Sequence, residues 1–518
     1  MPESPVVVAP PPDDQLNLGL RTSALVAMIV LVALLTFVPV ASNDVWLQAK
    51  LGELIVENRA IPHTVLFPFT WVRDNPFNAH EWLPSIAFHL LDRAVSHEGL
   101  LFVQGALGLA LFGLCTSLAV RLSKSMGAGL LLAALAMVVA NFRFHLRPEL
   151  FALLLMVALL HLLYRYRSSG NRRALLWSLP IAVLWANTHG SFLLGPGIAA
   201  IFAIGEGLDA LRRRSAAARP ARWRAAWAVA APYAAVSVGM GLASLANPLG
   251  LGLLHFALTL SASEVTKTFI AEWVPTLSKS FTGRLPFAIF VAALAVTLGV
   301  VASLRRRLGV TDALLLLAFG LLAFQRSRFV ALYGFIAIAV CARLIGAGPH
   351  RPGWERPLLA GAAGVGAIGV ALALQFGNVW GAFPYAVPSN NFTEPMIARL
   401  ARPEMRGNVF NSYELGAELI YRAYPRLRPS MDSRIDSYGD TYFLVQEQLL
   451  VDEAMLKEFI ADFDVRYMLL LRRDFVRIRD MPSMKQGWYT DFADQKMLLL
   501  ARRPEAASAP VVPAGPDG

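Results

Sequence analysis

The sequence predicts a polytopic α-helical membrane protein that carries a soluble α/β domain at its C-terminal end. Hydrophobic residues make up 56% of the 518 residues and charged residues only 16%, whereas an ordinary soluble domain has about 25% charged residues. Long apolar runs recur up to residue 376, and beyond that point acidic residues return. The two cysteines, Cys115 and Cys341, lie inside apolar runs, which argues against a disulfide framework or a thiol-based metal site.

The first apolar run, 22–40, follows a proline-rich and acidic N-terminal segment. We expect residues 1–20 to form a disordered cytoplasmic tail, and the run to form the first transmembrane helix because it has about the 20 residues that a bilayer requires. The alternative is a signal peptide cleaved near Val40-Ala41-Ser42. We favour the helix because the run exceeds the roughly 7–15 residues of a signal core and no basic segment precedes it.

Ten further apolar runs follow, so we expect about eleven transmembrane helices. These runs are 99–120, 127–141, 150–164, 174–187, 192–211, 225–246, 285–304, 313–324, 329–344 and 358–376. The membrane domain is therefore predicted to occupy residues 21–376, with a first external loop at 41–98.

Arginine-rich loops predict the orientation. Alternate loops carry Arg165 and Arg167, Arg172 and Arg173, Arg212 to Arg214, and Arg305 to Arg307, and the positive-inside rule assigns such loops to the cytoplasm. The N-terminus is then cytoplasmic, and the first loop and the C-terminal domain are extracytoplasmic, as in a bacterial inner-membrane protein. The formal charge of +11 is explained by these loops, so we expect no nucleic-acid partner.

The opposite loops mix acids, imidazoles, amides and single arginines, which predicts a polar cavity at the outer membrane surface. Each residue alone could instead be an interfacial anchor or a helix cap. The candidates are Asp44, His80, Glu81, Arg143, Arg147, Glu149, Asn187, His189, Glu272, Arg326 and Arg328.

The residues after the last apolar run predict an extracytoplasmic α/β domain at 377–502 and a disordered, Pro/Ala-rich end at 503–518. Strand patterns occur at 408–410, 465–471 and 497–501, and helix patterns at 414–421 and 446–463.

Several catalytic classes lack support. The chain has no P-loop, no GxGxxG motif before a helix, no HExxH, no GxSxG and no CxxC, which argues against nucleotide hydrolysis, zinc proteolysis and nucleophile-elbow chemistry. An ion-coupled transporter is a third class of function, but it would favour charges or broken helices near the membrane centre. Here the charges fall at the ends of the apolar runs.

The order of these features resembles the polytopic GT-C glycosyltransferases, which use polyprenyl-phosphate sugars and include protein O-mannosyltransferases, aminoarabinose transferases and bacterial oligosaccharyltransferases. A closer similarity is to a group of bacterial membrane proteins within that fold. The pieces that carry it are Asn43-Asp44-Val45-Trp46, Ile61-Pro62-His63, His80-Glu81-Trp82-Leu83, Leu146-Arg147-Pro148-Glu149, Trp185 to Gly190, Asn247-Pro248-Leu249-Gly250, Glu272-Trp273, Gly407 to Asn411 and Met431 to Arg434.

This resemblance implies a sugar transfer from a polyprenyl-phosphate donor to an extracytoplasmic glycolipid, polysaccharide or protein. It implies that Asp44 is the catalytic base, with Glu81 as its rival, and that 47–58 and 81–92 form two surface-lying helices. The remaining candidates bind substrate: the arginines would bind the donor phosphate because guanidinium forks match phosphate oxygens, and the histidines would orient the acceptor or the phosphate. Glu272 is open between cavity wall and metal ligand.

The sequence departs from the family pattern at two places, and one of them weakens the case for a metal. The first loop carries the single acid Asp44 without an adjacent second carboxylate, and hard divalent cations prefer several oxygen ligands. Ser433 also stands where a glycine is expected between Asp432 and Arg434, two residues that we predict to form an ion pair. No cofactor is therefore certain, although a divalent metal stays open. The alternative function is a non-catalytic protein of the same fold that binds or translocates a lipid-linked saccharide.

Overall fold

The computed structural model describes residues 12–37, 43–213, 219–262, 265, 273–349, 352–375 and 392–503. Contacts divide the chain into two compact units. We call Met1–Ser42 with His80–Pro388 the membrane unit, and Asn43–Ala79 with Ser389–Gly518 the tail unit. The expected first external loop is thus shared, because its first part, Asn43–Ala79, packs with residues of the C-terminal domain.

The described part of the membrane unit is helical. Helix α2 (Asn43–Asn58) belongs to the tail unit. The helices of the membrane unit are α1 (Pro12–Thr36), α3 (Trp82–Ser123), α4 (Met126–Ala140), α5 (Pro148–Ser169), α6 (Arg173–Leu176), α7 (Ser178–Ala186), α8 (Leu194–Arg213), α9 (Arg219–Ala243), α10 (Gly252–Ala262), α11 (Lys279–Thr282), α12 (Leu285–Ser303), α13 (Val310–Gln325), α14 (Val330–Gly346) and α15 (Glu355–Gln375). Single 3₁₀ turns at Asn141–Arg143, Gly190–Leu193, Arg305–Arg307, Ser327–Phe329 and Pro352–Trp354 join some of them.

The chain is an integral membrane protein, as predicted. Among the described residues, nine helices are long and apolar enough to cross a bilayer, and two shorter apolar helices, Arg173–Ala186 and Val310–Gln325, coincide with two more of the predicted runs. The predicted count of eleven is therefore not established. The first helix begins at Pro12, so part of the expected disordered tail is helical. Proline is compatible with the first helical turn because its missing N–H would have no partner there.

Small residues allow the membrane helices to approach closely around α14. Helix α14 packs on α3, α4, α12 and α13, while α1 lies along α15 and α8 along α9. A side chain at Gly346 would overlap the carbonyl oxygen of Leu122 in α3. Such contacts between small residues and backbone are a usual basis of helix association in membranes.

Helix α3 contains a break at Ser96, where φ is 60° and ψ is 171°. A serine rarely adopts a positive φ, so the backbone changes direction there. The part before the break includes the helix predicted at 81–92, and the part from Gly99 to Ser123 is one of the nine long apolar helices.

The tail unit contains a five-stranded mixed sheet in the order β2-β1-β3-β5-β4. Its elements after α2 are α16 (Glu394–Leu400), β1 (Gly407–Asn411), α17 (Gly416–Ala423), β2 (Leu427–Pro429), α18 (Ile435–Tyr438), α19 (Asp440–Leu449), α20 (Glu453–Asp462), β3 (Val465–Leu471), α21 (Arg472–Ile478), α22 (Pro482–Gly487), β4 (Trp488–Ala493) and β5 (Met497–Arg502). Strand β1 is parallel to β2 and β3, while β5 is antiparallel to β3 and β4.

Aromatic contacts hold Asn43–Ala79 against the rest of the tail unit. The ring centroids of Trp46 and Tyr421 are 5.1 Å apart, and the hydroxyls of Thr70 and Tyr442 are 2.9 Å apart. The guanidinium carbon of Arg434 lies 5.1 Å from the ring centroid of Phe67. Burying this many aromatic rings explains why the segment folds with the tail.

Asp432 and Arg434 form the predicted ion pair, with an Arg434 Nη2 to Asp432 Oδ2 distance of 2.7 Å. Asp432 is fully buried. Because Arg434 also lies over the rings of Phe67 and Phe77, the pair fixes the 43–79 segment to the loop after β2.

Two details of the tail differ from the prediction. The expected helix at 446–463 is two helices, because α19 ends at Leu449 and Asp452 caps a new helix by accepting a hydrogen bond from the Met455 N–H at 3.0 Å. The sequence prediction also missed β2 and β4. Both strands lie at the edges of the sheet, and β2 is only three residues long. Neither strand has the continuous apolar pattern by which the other three were recognised.

Candidate functional site

Five polar side chains at one end of the membrane helices form what we call the arginine cluster: Arg143, Arg147, Glu149, His189 and Arg328. Arg143 ends the 3₁₀ turn after α4 and donates a hydrogen bond to Glu149 in the first turn of α5. Both side chains are buried. Arg147 and Arg328 lie close enough to Arg143 to repel it electrostatically, and Arg328 and His189 both interact with Glu149.

A buried glutamine shapes the loop that carries Arg143 and Arg147. The Leu146 N–H donates to Gln104 Oε1 at 2.7 Å, and Gln104 Nε2 donates to the Thr36 carbonyl at 3.0 Å. Helix α5 then begins at Pro148, which suits a first helical turn. The loop is therefore fixed by α1 and α3, and it places Glu149 at the start of its helix.

Arg328 lies over an indole ring. Its guanidinium carbon is 4.5 Å from the Trp273 ring centroid, a favourable cation–π geometry. The two segments are tied by backbone and hydroxyl bonds: Ser327 N–H donates to the Val274 carbonyl at 3.0 Å, and Thr276 Oγ1 donates to the Ala323 carbonyl at 2.5 Å. Only the fold reveals this partner of Trp273, because the two residues are 55 positions apart in the sequence.

His189 is held as a neutral imidazole. The Ser191 N–H donates to its Nδ1 at 3.2 Å, and Ser191 Oγ lies 2.8 Å from the same atom while accepting a bond from Trp185 Nε1 at 3.1 Å. Nδ1 is therefore the acceptor, and the proton is on Nε2. Burial lowers the pKa of His189 to about 3, since the nearby carboxylate of Glu149 does not outweigh burial and the charge of Arg328.

His80 and Glu81 lie beside this cluster in the same unit. His80 Nε2 is 3.7 Å from Glu81 Oε1, and the His80 ring lies 4.6 Å from that of Phe256. His80 also interacts electrostatically with His189. Both side chains are partly exposed, as a proton-accepting or substrate-orienting group must be.

His145 belongs to the same loop, although it is not among the candidates selected from the sequence. Burial, reinforced by the charges of Arg147 and Arg143, lowers the pKa of His145 to about 4. Both histidines near the arginines are thus neutral at pH 7. Neutral imidazoles avoid adding to the repulsion among the arginines.

Asn187 has a supporting position. Its amide nitrogen donates to the carbonyls of Val183 and Ala246, both at 2.8 Å, and its amide oxygen accepts from Trp82 Nε1 at 2.8 Å. These bonds join the start of α3 to the ends of α7 and α9. The geometry therefore favours positioning of His80 and His189 over direct substrate contact.

The remaining candidates lie elsewhere or outside the described residues. Asp44 is half-buried in the first turn of α2, in the tail unit. Arg326 precedes the turn that carries Arg328. Glu272 lies outside the described residues. Among the residues that the structure describes, no group of three His, Cys, Asp or Glu side chains could hold a metal ion.

A second ion cluster lies at the other ends of α5 and α14, and the sequence prediction missed it. We call Arg167, Glu206, Asp312 and Arg343 the paired cluster. Arg167 lies 2.7 Å from Glu206 and 3.4 Å from Asp312, and Arg343 lies 2.5 Å from Asp312. Glu206 is an acid inside the predicted apolar run 192–211, and Asp312 lies immediately before the run 313–324; an acid at such a position is the sequence signal that could have revealed them.

Comparison with solved structures identifies the fold. The chain is similar to the Archaeoglobus fulgidus oligosaccharyltransferase tethered to an acceptor peptide, with a TM-score of 0.54, 14% identity, and coverage of 93% of this chain and 74% of that one. The archaeal oligosaccharyltransferase AglB from Archaeoglobus fulgidus, in complex with an inhibitory peptide and a dolichol-phosphate, gives a TM-score of 0.53, 12% identity, and coverage of 95% of this chain and 74% of that one.

No protein-family model matches the chain, and no curated protein sequence does. The structural likeness spans both units, since it covers nearly the whole chain. The chain therefore has the fold of the GT-C glycosyltransferases, as its motifs predicted.

Proposed function

We propose that the protein is a membrane glycosyltransferase that moves a sugar from a polyprenyl-phosphate donor to an extracytoplasmic acceptor. The observation that carries this proposal is the arginine cluster, where Arg143, Arg328 and the neutral His189 interact with the buried carboxylate of Glu149, and Arg147 lies near Arg143. The AglB structure, which shares the fold, contains a dolichol-phosphate.

The chemistry of the cluster suits a phosphate. Arg147 and Arg328 both repel Arg143, and a bound anion would relieve that repulsion. Guanidinium groups donate paired hydrogen bonds that match phosphate oxygens. The three arginines stand on separate turns at helix ends. They can therefore surround the phosphate headgroup of a lipid while the lipid's hydrocarbon chain stays in the membrane.

The proposed reaction needs a base and a stabilised leaving group. The acceptor hydroxyl oxygen bonds to the anomeric carbon, its proton passes to a carboxylate, and the carbon–oxygen bond to the phosphate breaks with both electrons going to the leaving prenyl phosphate. Negative charge develops on that phosphate. The arginines would stabilise it, which is commonly among the largest contributions to catalysis.

Two carboxylates compete for the role of base. Glu81 lies next to His80 in the membrane unit, and His80 interacts with His189 of the arginine cluster. Asp44 is supported by the family resemblance. The arginine-rich loops favour an orientation with the N-terminus in the bacterial cytoplasm and the C-terminal domain outside it.

The test uses the full chain in nanodiscs, with undecaprenyl-phosphate hexoses as donors and a cell-envelope extract as the acceptor source. Release of undecaprenyl phosphate is followed by mass spectrometry. We expect Glu81→Gln or Asp44→Asn to reduce release about 10²- to 10⁴-fold, as loss of a general base does. Glu57→Gln, an exposed carboxylate on the same helix as Asp44, is the matched control and should release at the wild-type rate.

The outcomes separate the functional classes. Loss of release with retained undecaprenyl-phosphate binding supports the enzyme and identifies the base. Binding without any release by the wild-type protein favours the non-catalytic alternative, in which the lipid-linked saccharide is only bound or translocated. Absence of both binding and release contradicts the proposal.

A further inference from the structure

Three side chains are joined by hydrogen bonds at the turn between α7 and α8. Trp185 Nε1 lies 3.1 Å from Ser191 Oγ, and Ser191 Oγ lies 2.8 Å from His189 Nδ1. Trp185 is 1% exposed, so close packing fixes its indole ring. The Ser191 hydroxyl therefore connects a fixed ring to the imidazole of the arginine cluster.

The proton positions follow from the chemistry of these groups. An indole nitrogen can only donate, so Ser191 Oγ accepts from Trp185 and its own proton is left for His189 Nδ1. The backbone N–H of Ser191 also donates to this nitrogen, at 3.2 Å. Two donors thus face Nδ1 of the neutral ring, which leaves the ring proton on Nε2.

His189 Nε2 is the end of this arrangement that faces away from Ser191, because the two imidazole nitrogens point in different directions. Among the described residues, this nitrogen has no hydrogen-bond partner, and the side chain is partly exposed. The charged groups that act on the ring include Arg328, Arg143 and the carboxylate of Glu149. An unpartnered N–H donor beside two guanidinium groups suits an oxygen atom of an anion bound there.

We propose that Ser191 is a positioning residue, which holds His189 as an Nε2–H donor to an oxygen atom of the phosphate in the arginine cluster. The inference rests on the proposed function, which supplies the phosphate. His189 then acts as a neutral donor and not as the base of the reaction, because Nε2 already carries a proton and Nδ1 accepts from two donors. Trp185 acts one step further away, by directing the Ser191 hydroxyl proton towards the ring.

Nitrogen NMR tests the state of the ring without any change at Ser191. The full chain is prepared with isotope-labelled histidine in nanodiscs, and the His189 signals are identified by their loss in His189→Asn. We expect the proton on the nitrogen that is bonded to Cδ2, which is Nε2. The signal of this nitrogen should shift when undecaprenyl phosphate is added, and it should not shift with undecaprenol, which lacks the phosphate.

Two variants of Ser191 separate positioning from stability. Ser191→Ala removes the hydroxyl and leaves the backbone donor, so we expect a second tautomer of His189 to appear and undecaprenyl phosphate to bind about tenfold more weakly. Ser191→Thr keeps a hydroxyl and should restore both. Ser237→Ala is the matched control, because it removes a hydroxyl that donates to the Pro196 carbonyl at 2.9 Å in the same unit, and it should bind like wild type.

The outcomes distinguish this inference from the proposed function. A single Nε2–H tautomer and wild-type binding in Ser191→Ala would overturn the positioning role of the serine. An Nε2 signal that does not respond to undecaprenyl phosphate, with binding that still requires Arg328, would overturn the donor role of His189 and leave the proposed function standing. If the wild-type protein binds no undecaprenyl phosphate, both proposals fail.

Discussion

Helices α5 and α14 have ion clusters at both ends, and the two clusters are built differently. In the paired cluster, each arginine lies within 3.4 Å of a carboxylate, and Thr311 and the Gly309 N–H add bonds to the acids at 2.7 and 3.0 Å. In the arginine cluster, three arginines share the single carboxylate of Glu149 and the neutral His189, with the neutral His145 and the indole ring of Trp273 beside them. About 27 Å of helix separates Glu149 from Arg167, close to the thickness of a bilayer core.

The difference indicates different roles. Opposite charges at short distance on α5, α8, α13 and α14 bind four helices together, so the paired cluster is a structural tie. The arginine cluster instead gathers three arginines with one buried carboxylate, Glu149, on turns at helix ends. Its five defining side chains therefore carry more positive than negative charge, which suits an anionic ligand.

The largest effect should come from exchanging Arg343 of α14, or Arg328 of the 3₁₀ turn that precedes it, for alanine. Arg343→Ala leaves Asp312 buried without its nearest cation, so we expect a loss of about 3 kcal/mol in the free energy of unfolding. Arg328→Ala should change stability little and weaken undecaprenyl phosphate about a hundredfold, since it removes a charged phosphate ligand. Thermal unfolding and lipid binding, both in nanodiscs, measure the two quantities.

Two outcomes with these variants would contradict the difference between the clusters. If Arg328→Ala unfolds the protein and leaves the binding of correctly folded material unchanged, the arginine cluster is also a structural tie. If Arg343→Ala weakens lipid binding as strongly as Arg328→Ala at a temperature where both are folded, the two ends are not functionally distinct.

Much of the fold could be predicted from the sequence because it depends on apolar length. Every predicted apolar run coincides with a described helix, and the motifs around Leu146-Arg147-Pro148-Glu149 and Trp185 to Gly190 indicated the fold that the solved structures share. The arginines and His189 were selected because a polar group at the edge of an apolar run is costly. Their roles in binding and catalysis stay predictions.

The parts that could not be predicted depend on which segments meet. Asn43–Ala79 has the sequence position of a loop of the membrane domain, yet its aromatic rings pack with Tyr421 and Tyr442, about 370 residues away in the tail unit. Arg167 looks like one of many positive-inside arginines until the fold places Glu206 and Asp312 beside it. No local pattern contains such long-range pairings.

The two neutral histidines, His189 and His145, should make the free energy of unfolding depend on pH. The native state keeps His189 and His145 neutral because their pKa values, about 3 and about 4, lie below the usual 6.5. Between these values and pH 6.5 the unfolded chain binds more protons, so stability falls as pH decreases through 6.5. After allowance for partial exposure, we expect a loss of about 1 kcal/mol per histidine between pH 7 and pH 5.

Unfolding temperatures at pH 7, 6 and 5 measure this loss. His189→Asn should reduce the dependence by about half, since an amide does not titrate. Arg343→Ala should keep the wild-type dependence because the paired cluster contains no histidine. An unchanged slope in His189→Asn would show that this histidine is not the titrating group.

The smallest expected effect concerns Trp273, whose ring lies under Arg328. A cation–π contact contributes about 1 kcal/mol, so Trp273→Leu should weaken undecaprenyl phosphate about fivefold by allowing the guanidinium to move. Trp227→Leu is the matched control, because Trp227 is an exposed tryptophan of α9 and tests the general anchoring effect of an indole at the membrane surface. Equal effects of the two substitutions would show that Trp273 acts only as an interfacial anchor. A selective effect at Trp273, absent when Arg328 is already alanine, would show that the indole acts through the guanidinium and belongs to the binding end of the helices.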